Sequence, residues 1–158
     1  YSGNMTGFFM RKYLNENMPQ SEVIENYSEQ HWIEFRYAEA LLNGAEAAVE
    51  MGQYLDDALL WINDIRSRAD IKQLSLSDLT VDKVRHERRI ELAFENHTYW
   101  DLRRWSDGIS DMQSINEPVY GIYSDNPLEL RQYKSPYMPM PYSEMIKTNN
   151  LVNNAGWE

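Results

Sequence analysis

The fold is decided by a central stretch of the sequence, FRYAEALLNGAEAAVEMGQYLDDALLWINDIRSRA, which occupies residues 35–69. Apolar and small side chains recur in both halves of this stretch at spacings of three and four residues, which is the pattern of amphipathic helices. Gly52 separates the two halves, and glycine commonly ends a helix. Because the two apolar faces can meet only if the helices run in opposite directions, the stretch predicts an antiparallel helical hairpin.

The same spacing extends the first helix back to about residue 31 and predicts shorter helices downstream. We expect four helices, at about residues 31–51, 55–69, 81–96 and 99–105. The hairpin resembles one tetratricopeptide-like unit, which cannot bury its own apolar face, so neighbouring helices are expected from elsewhere in the protein. The expected fold class is mostly α, with tetratricopeptide-like hairpins followed by a loop-rich, aromatic C-terminal tail.

The two ends of the sequence carry few helix signals. Residues 1–30 contain scattered aromatic side chains, Pro19 and no sustained helical spacing, so we expect a loop and extended lead-in. Residues 106–158 are rich in Pro, Asn, Ser and Tyr, and no regular helix is expected there. Since the chain starts with Tyr1 instead of Met, we expect residues 1–30 to lead in from a preceding N-terminal part, and residues 31–158 to form a C-terminal domain.

Composition and charge exclude several classes of function. The 158 residues include 25 acidic and 15 basic side chains, which gives a formal net charge of −10. An acidic chain lacks the cationic surface that binds a nucleic-acid backbone or an anionic membrane. The sequence contains no cysteine, which excludes disulfides, thiolate metal sites and cysteine nucleophiles within these residues.

A cluster of charged residues lies between residues 87 and 105. Three glutamates spaced four apart would share one helix face, with side chains about 5–6 Å from one another. That separation is similar to the carboxylate pair of a retaining glycosidase, about 5–5.5 Å. However, nearby arginines stabilise the charged form of a carboxylate, whereas a general acid must hold a proton. We therefore expect a structural ion-pair network, with arginines of the following helix as partners. Its members are Glu87, Arg88, Glu91, Glu95, Asp101, Arg103 and Arg104.

The sequence contains no motif of a metal, cofactor or catalytic site. The histidines, His31, His86 and His97, form no closely spaced ligand pair, and the aspartates lack the spacing of a calcium loop. Glycine-rich phosphate loops and the nucleophile elbow of hydrolases are also missing. We expect no cofactor, no metal and no enzymatic activity.

Four separated blocks of the sequence carry a family pattern. They are FRYAEALLNGAEA at 35–47, ALLWINDIRSRA at 58–69, ERRIELAFE at 87–95 with YWDLRRW at 99–105, and YMPMP at 137–141 with Glu144, Asn149 or Asn150, Leu151 and NNAGW at 153–157. In this order they resemble the C-terminal part of the SusD/RagB family, the surface lipoproteins that bind glycans for uptake in Gram-negative bacteria. Thr98 and Ala155 depart from the family pattern, and residues 106–135 match nothing specific.

The resemblance implies a mostly helical protein whose loops bind oligosaccharide or polysaccharide without changing it chemically. It also implies a full-length protein with a signal peptide and a lipidated cysteine, exposed at the surface of the outer membrane. Its expected protein partner is a SusC-type TonB-dependent transporter. Nucleic acid is not an expected partner, and the membrane is contacted only through a lipid anchor outside this chain.

Tyrosines of the tail are the candidate sugar contacts, because an aromatic ring offers a flat apolar face with a polar edge. The alternative for each of these rings is that it packs the tail onto the helices, since buried aromatic side chains dominate core packing. The candidate ligand-binding residues are Tyr120, Tyr123, Asn126, Tyr133 and Tyr137. The tryptophans on helical stripes are expected in the core instead, and these are Trp61, Trp100 and Trp105. Trp157 is expected to hold the C-terminal end in place.

Three hypotheses follow for the function. The first is non-catalytic glycan binding at the cell surface, for uptake through a SusC-type transporter. The second is a helical-repeat scaffold that binds a protein or peptide. The third is a glycoside hydrolase that uses Glu91 and Glu95, in which Glu91→Gln would abolish release of reducing sugar.

Overall fold

The computed structural model describes the chain in two compact units. It describes residues 6–24, 30–106, 118, 120–122, 125–126, 135, 137–148 and 150–157. One unit, residues 13–98, contains most of the helices, and we call it the helical unit. The other, residues 1–12 and 99–158, is rich in exposed rings, and we call it the aromatic unit.

The described residues form helices, turns and loops without a β-strand, which confirms the predicted mostly α fold. Short 3-10 turns occupy Gln20–Glu22 and Leu76–Asp78. The α-helices are α1 (Tyr37–Met51), α2 (Leu55–Arg68), α3 (Val81–Glu91), α4 (His97–Trp105) and α5 (Tyr142–Met145). None of the helices in these residues is long and apolar enough to cross a membrane.

Helices α1 and α2 form the predicted hairpin. Helix α1 ends at Gly52, which has the left-handed backbone (φ 64°) that glycine adopts most readily, and its N–H donates to the carbonyls of Ala48 and Val49. The helix begins at Tyr37, however, and not near residue 31. Arg36 has an extended backbone (φ −149°, ψ 164°), and its side chain is held by the residues that follow α3. The predicted start was too early because Ile33 lies at helical spacing from the apolar residues of α1, although it precedes the helix.

The core of the helical unit lies between α1, α2 and α3. It is built from the small and branched side chains of the apolar stripes, and the largest fully buried apolar side chains are Leu42, Ile62, Leu92 and Val84. Leu74, Leu79 and the ring of Trp61 are packed against this core. Asn63 fixes the loop after α2, because its side-chain amide pairs with both the N–H and the carbonyl of Leu74, at 2.8 and 3.0 Å.

Helix α3 ends at Glu91, five residues before the predicted end. The carbonyl of Glu91 accepts a hydrogen bond from the Arg36 guanidinium (2.7 Å), while the N–H of Glu95 donates to Leu92 instead of continuing the helix. Phe94 and Asn96 then adopt left-handed backbone angles, with φ of 66° and 63°. The spacing of the glutamates predicted a longer helix because it contains no information about Arg36. That arginine lies far away in the sequence, and it takes up the carbonyl of Glu91 at the point where α3 ends.

The tail also contains one helical turn that was not predicted. Helix α5 follows Pro141, whose fixed φ suits the entrance to a helix and whose carbonyl accepts from the N–H groups of Glu144 and Met145. At the other end of the aromatic unit, the N–H of Ile122 donates to the carbonyl of Thr6 (2.9 Å). This bond joins the N-terminal residues of the unit to its later part.

Gly44 provides a test of the α1–α2 packing. A Cβ at this position would lie 2.9 Å from a ring carbon of Trp61. We expect Gly44→Ala to lower the free energy of unfolding by about 1 kcal/mol, because overpacking of about 2 kcal/mol outweighs a gain of about 1 kcal/mol in helix propensity. Urea unfolding followed by circular dichroism measures the change. In a Trp61→Leu background the sign should reverse, and a stabilising effect of Gly44→Ala alone would contradict the contact.

Candidate functional site

An arginine at the entrance to α1 holds the two glutamates at the end of α3. The Nη1 of Arg36 donates to a carboxylate oxygen of Glu91 (2.6 Å), and its Nε and Nη2 donate to the two carboxylate oxygens of Glu95 (2.7 and 2.9 Å). Arg68, at the end of α2, also donates to Glu91. We call these four residues the arginine clasp. The clasp ties three elements together at one point.

Burial and charge act in opposite directions on Arg36. Burial lowers the pKa of its guanidinium, but the hydrogen bonds to Glu95 and Glu91, with the attraction of both negative charges, outweigh burial and raise the pKa above its ordinary value. Only 1% of the Glu95 side chain is exposed. Removing Arg36 would therefore take the guanidinium away from a buried carboxylate, which is strongly unfavourable.

Further polar bonds connect α3 to the preceding helices. Arg66 of α2 is paired with Glu87, and its Nε also donates to the carbonyl of Lys72 (2.6 Å). Arg88 reaches in the opposite direction, to the side-chain oxygen of Asn43 on α1 (2.6 Å). The buried side of α3 is thus held by specific polar contacts as well as by apolar packing.

The remaining members of the predicted ion-pair network lie on α4. The carboxylate of Asp101 is buried and pairs with Arg104 one turn later (2.9 Å). The guanidinium of Arg103 lies over the ring of Tyr99, 4.5 Å from its centroid. The described partners of Glu87, Glu91 and Glu95 thus include arginines from earlier in the chain, whereas sequence reasoning looked for them on the following helix. Arg36, Arg66 and Arg68 lay within the first two family blocks, which was the signal available for finding them.

Exposed rings gather around the start of α4 within the aromatic unit. Trp100 meets Tyr99 edge to face, with ring centroids 5.0 Å apart, and 59% of Trp100 is exposed. The hydroxyl of Tyr99 lies 3.7 Å from the sulfur of Met138, which directly follows the exposed Tyr137. We call Tyr99, Trp100, Tyr137 and Met138 the aromatic cluster. Its rings are large, rigid and open to solvent, which suits them to contact a ligand with a flat apolar face.

The C-terminal residues fasten one side of this cluster. The indole Nε1 of Trp157 donates to the carbonyl of Tyr137 (2.8 Å), and the side-chain amide of Asn154 donates to the carbonyl of Met138 (2.7 Å). Asn153 accepts from the N–H of Met140 (2.9 Å). We call these three bonds the C-terminal latch. The latch holds the backbone of residues 137–140 in a defined path.

The five predicted ligand residues fall into two groups. Tyr120, Asn126 and Tyr137 are exposed, and Tyr137 belongs to the aromatic cluster because its neighbour Met138 contacts Tyr99. Tyr123 and Tyr133 lie outside the described residues. Tyr137 N–H donates to the hydroxyl of Ser135 (3.1 Å), so its position is fixed from both sides.

Trp100 was wrongly expected in the core. Its position among the apolar residues of α4 predicted burial. Helical spacing shows which residues share a face of the helix, but it does not show whether another element packs on that face. Trp61 is half-buried against the core as expected, and Trp105 is half-buried with the guanidinium of Arg104 over its ring at 4.9 Å. The site residues that sequence reasoning missed are therefore Tyr99 and Trp100.

Surface depressions lie among the described residues of the helical unit. A cavity of about 320 Å³ lies at the start of α1, with Leu41 and Ile65 among its apolar lining and Tyr37 at its edge. A more polar cleft of about 580 Å³ is lined by residues of both charges around the start of α3. Within the described parts of the chain, no group of three or more His, Asp or Glu side chains is arranged to hold a metal ion.

Comparison with known proteins identifies the family. The model of the SusD family matches residues 1–157 of the chain. The chain belongs to the SusD family. Two curated relatives come from Formosa agariphila: SusD-like protein P2 is 32% identical over 82% of this chain, and SusD-like protein P38 is 34% identical over 52% of it. The chain spans 26% and 18% of the length of these two proteins.

Solved structures of SusD-like proteins have the same helical arrangement. A SusD-like protein from Bacteroides fragilis superposes with a TM-score of 0.63 at 30% identity, covering 80% of this chain and 26% of that protein. The surface glycan-binding protein A from Bacteroides uniformis superposes with a TM-score of 0.53, also at 30% identity, covering 79% of this chain and 28% of that protein. These likenesses confirm the tetratricopeptide-containing fold.

Ion pairs join the first three SusD blocks to one another. Arg36 of the first block and Arg68 of the second both bind Glu91 of the third, and Arg66 of the second binds Glu87 of the third. The two halves of the fourth block are joined to each other by the C-terminal latch. Each of the first three blocks therefore supplies one side of an ion pair whose other side lies in another block, whereas the latch lies within the fourth block.

The clasp is expected to dominate the stability of the helical unit. Arg36→Ala should lower the free energy of unfolding by about 3–5 kcal/mol, because it leaves Glu95 buried without its guanidinium. The matched control is Lys147→Ala, which breaks an exposed pair with Glu144 and should change stability by less than about 1 kcal/mol. Chemical unfolding measures both variants. Equal effects of the two substitutions would contradict this role, and if Arg36→Ala does not fold, Arg36→Lys gives the same comparison with the charge kept and the fork lost.

Proposed function

We propose that the protein containing this chain binds oligosaccharides at the cell surface without changing them chemically, and that the aromatic cluster is part of the contact surface. The observation that carries the proposal is the exposure of Trp100 beside Tyr99, next to the segment that presents Tyr137. The name of the Bacteroides uniformis relative, a surface glycan-binding protein, supports the class of ligand.

The chemistry of the cluster suits a sugar ring. One face of a pyranose is lined by C–H groups and can lie on an aromatic ring, while the hydroxyl groups at its edge need hydrogen-bonding partners. Trp100 and Tyr137 would supply the flat surfaces. The phenol groups of Tyr120, Tyr123 and Tyr133 and the amide of Asn126 remain the proposed partners for hydroxyl groups.

The arrangement is also preorganised. Tyr99 is held by three contacts: the edge of Trp100, the guanidinium of Arg103 and the sulfur of Met138. On the other side, the C-terminal latch fixes the backbone of Tyr137. Side chains that are already ordered lose little conformational entropy on binding, so more of the contact energy contributes to affinity.

Membership of the SusD family supports a wider proposal about cellular context. We propose that the full-length protein is a lipid-anchored protein of the outer-membrane surface, and that it passes its ligand to a SusC-type TonB-dependent transporter. The net charge of −10 is compatible with this role, because neutral sugars are bound by stacking and hydrogen bonds and need no cationic surface.

A protein-binding scaffold is the second candidate, and exposed apolar side chains on the hairpin favour it. Tyr37 and Met51 of α1 and Leu60 of α2 are all exposed. Such side chains on a helical hairpin can also contact neighbouring helices of the same protein, as in a repeat array. These exposed side chains therefore indicate that another helix or protein packs on the hairpin, but they do not identify which one.

The hydrolase alternative is disfavoured by the clasp. A general acid must carry a proton to give to the leaving group. Glu91 and Glu95 both accept hydrogen bonds from the Arg36 guanidinium, so both carboxylates are paired with an arginine. The two carboxylates are thus engaged in holding the fold, and the proposal contains no catalytic step.

Substitution of Trp100 tests the proposed sugar contact. The probes are the neutral hexasaccharides of amylose, cellulose, laminarin, xylan and mannan, titrated by calorimetry. We expect Trp100→Ala to weaken binding of the best hexasaccharide about tenfold or more, because a stacking surface is lost. The matched control is Tyr54→Leu, which removes an exposed ring from the helical unit and should leave affinity unchanged. Binding that is insensitive to Trp100→Ala would reject the cluster as the contact surface.

Isolation of the protein from its native membrane tests the proposed partner. An affinity tag on the SusC-type transporter proposed as the partner should recover both proteins from detergent-solubilised outer membranes. A tagged unrelated TonB-dependent transporter from the same membranes serves as the control. Recovery of the protein with both baits, or with neither, would argue against a specific transporter complex.

A further inference from the structure

A second aromatic surface lies in the helical unit, ahead of α1. The rings of Tyr13 and Trp32 are stacked nearly parallel, with centroids 5.2 Å apart and an angle of 15° between their planes. Although one face of Trp32 is covered by Tyr13, 55% of the residue is exposed. The indole therefore presents its other face to solvent as a flat surface supported from behind.

Tyr13 holds this position in spite of two unfavourable features. Its backbone has φ of 69°, in the left-handed region that a bulky residue rarely adopts. Its hydroxyl oxygen is buried and has no hydrogen-bond partner in the described part of the chain. Strain and unsatisfied polar atoms of this kind often occur together where a side chain is held for a function.

The backbone beside Trp32 is available for hydrogen bonds. Residues 31–35 precede the first turn of α1 without forming a helix or strand, and in the described regions their N–H and carbonyl groups are not bonded to other residues. The side chains of His31 and Glu34 are exposed next to the indole in the sequence. Backbone donors and acceptors therefore flank Trp32 along the chain.

We propose that Trp32, supported by Tyr13, is a second carbohydrate-contact site, which stacks on a single neutral pyranose ring while residues 31–35 bond its hydroxyl groups. The inference rests on the proposed function, because it assigns the same class of ligand to a separate surface. One supported indole face matches one pyranose face in size and polarity. Glu34 provides an acceptor for hydroxyl groups and would repel an acidic sugar, which is why the site is assigned to a neutral one.

Fluorine NMR of the protein labelled with 5-fluorotryptophan separates this site from the aromatic cluster. The chain contains five tryptophans, and the signals of Trp32 and Trp100 are assigned from Trp32→Phe and Trp100→Phe. The hexasaccharides of amylose, cellulose, laminarin, xylan and mannan are the probes. We expect the hexasaccharide that binds to shift both signals, and Trp32→Ala to remove one of two binding events in calorimetry or to weaken overall binding about tenfold.

Variants of Tyr13 test whether stacking of its ring on Trp32 contributes to binding. Tyr13→Phe keeps the ring and removes only the buried hydroxyl, so affinity at Trp32 should be unchanged. Tyr13→Ala removes the supporting ring and should weaken the Trp32 response severalfold, while the response of Trp100 stays the same. Equal binding by Tyr13→Phe and Tyr13→Ala would overturn the assigned role of Tyr13.

The outcomes distinguish this inference from the function on which it rests. A shift of the Trp100 signal alone would overturn the Trp32 site and leave the proposed function standing. A shift of the Trp32 signal alone would support this site and reject the aromatic cluster. If none of the hexasaccharides shifts either signal, both proposals are overturned. Saturable binding of an extended peptide at Trp32, without any hexasaccharide response there, would assign residues 31–35 to a protein partner and overturn the carbohydrate site.

Discussion

The ion pair between Arg36 and the carboxylates of Glu91 and Glu95 is the interaction on which the helical unit depends. Its guanidinium fork reaches two side chains and one backbone carbonyl, so it fixes where α1 begins and where α3 ends. Apolar packing alone would allow the three helices to slide or rotate, since small residues such as Ala45 and Ala58 form a smooth interface. A bidentate contact of fixed geometry removes that freedom.

The aromatic unit is organised on a different principle. Its described order comes from short polar contacts between loops, such as Trp157 with Tyr137 and Asn153 with Met140, and not from a buried apolar core. Rings are left exposed because the bonds that fix them involve backbone groups and ring edges. This arrangement gives a loop surface both the order and the openness that ligand contact requires.

The sequence was sufficient to predict the helical hairpin and the family, but not the contacts that join the blocks. The spacing of Leu42, Ala45 and Ile62 determines which faces are buried, because a helix repeats every three to four residues. The same periodicity could not show that Arg36 would leave the helix and bind Glu95, which is 59 residues away. It also gave the wrong environment for Trp100, since burial depends on the neighbouring surface and not on the helix itself. The tyrosines of the tail were chosen as candidates for their chemistry alone. Their relative positions could not be predicted, because they depend on contacts between loops, which leave no regular spacing in the sequence.

The separation of the clasp residues along the chain has a consequence for how the protein acquires its structure. Helices α1 and α2 are joined by three residues, so their contacts are local and can form as soon as both segments have left the ribosome. Arg36 has its partners 55 and 59 residues further on, and closing that long loop is slower and entropically less favourable. The hairpin would therefore exist for a time with Arg36 in water and without the bonds that fix the start of α1, until synthesis delivers Glu95. During that interval the segment ahead of α1, with its exposed indole, has no fixed direction, and this is the stage at which a chaperone would find the chain most accessible.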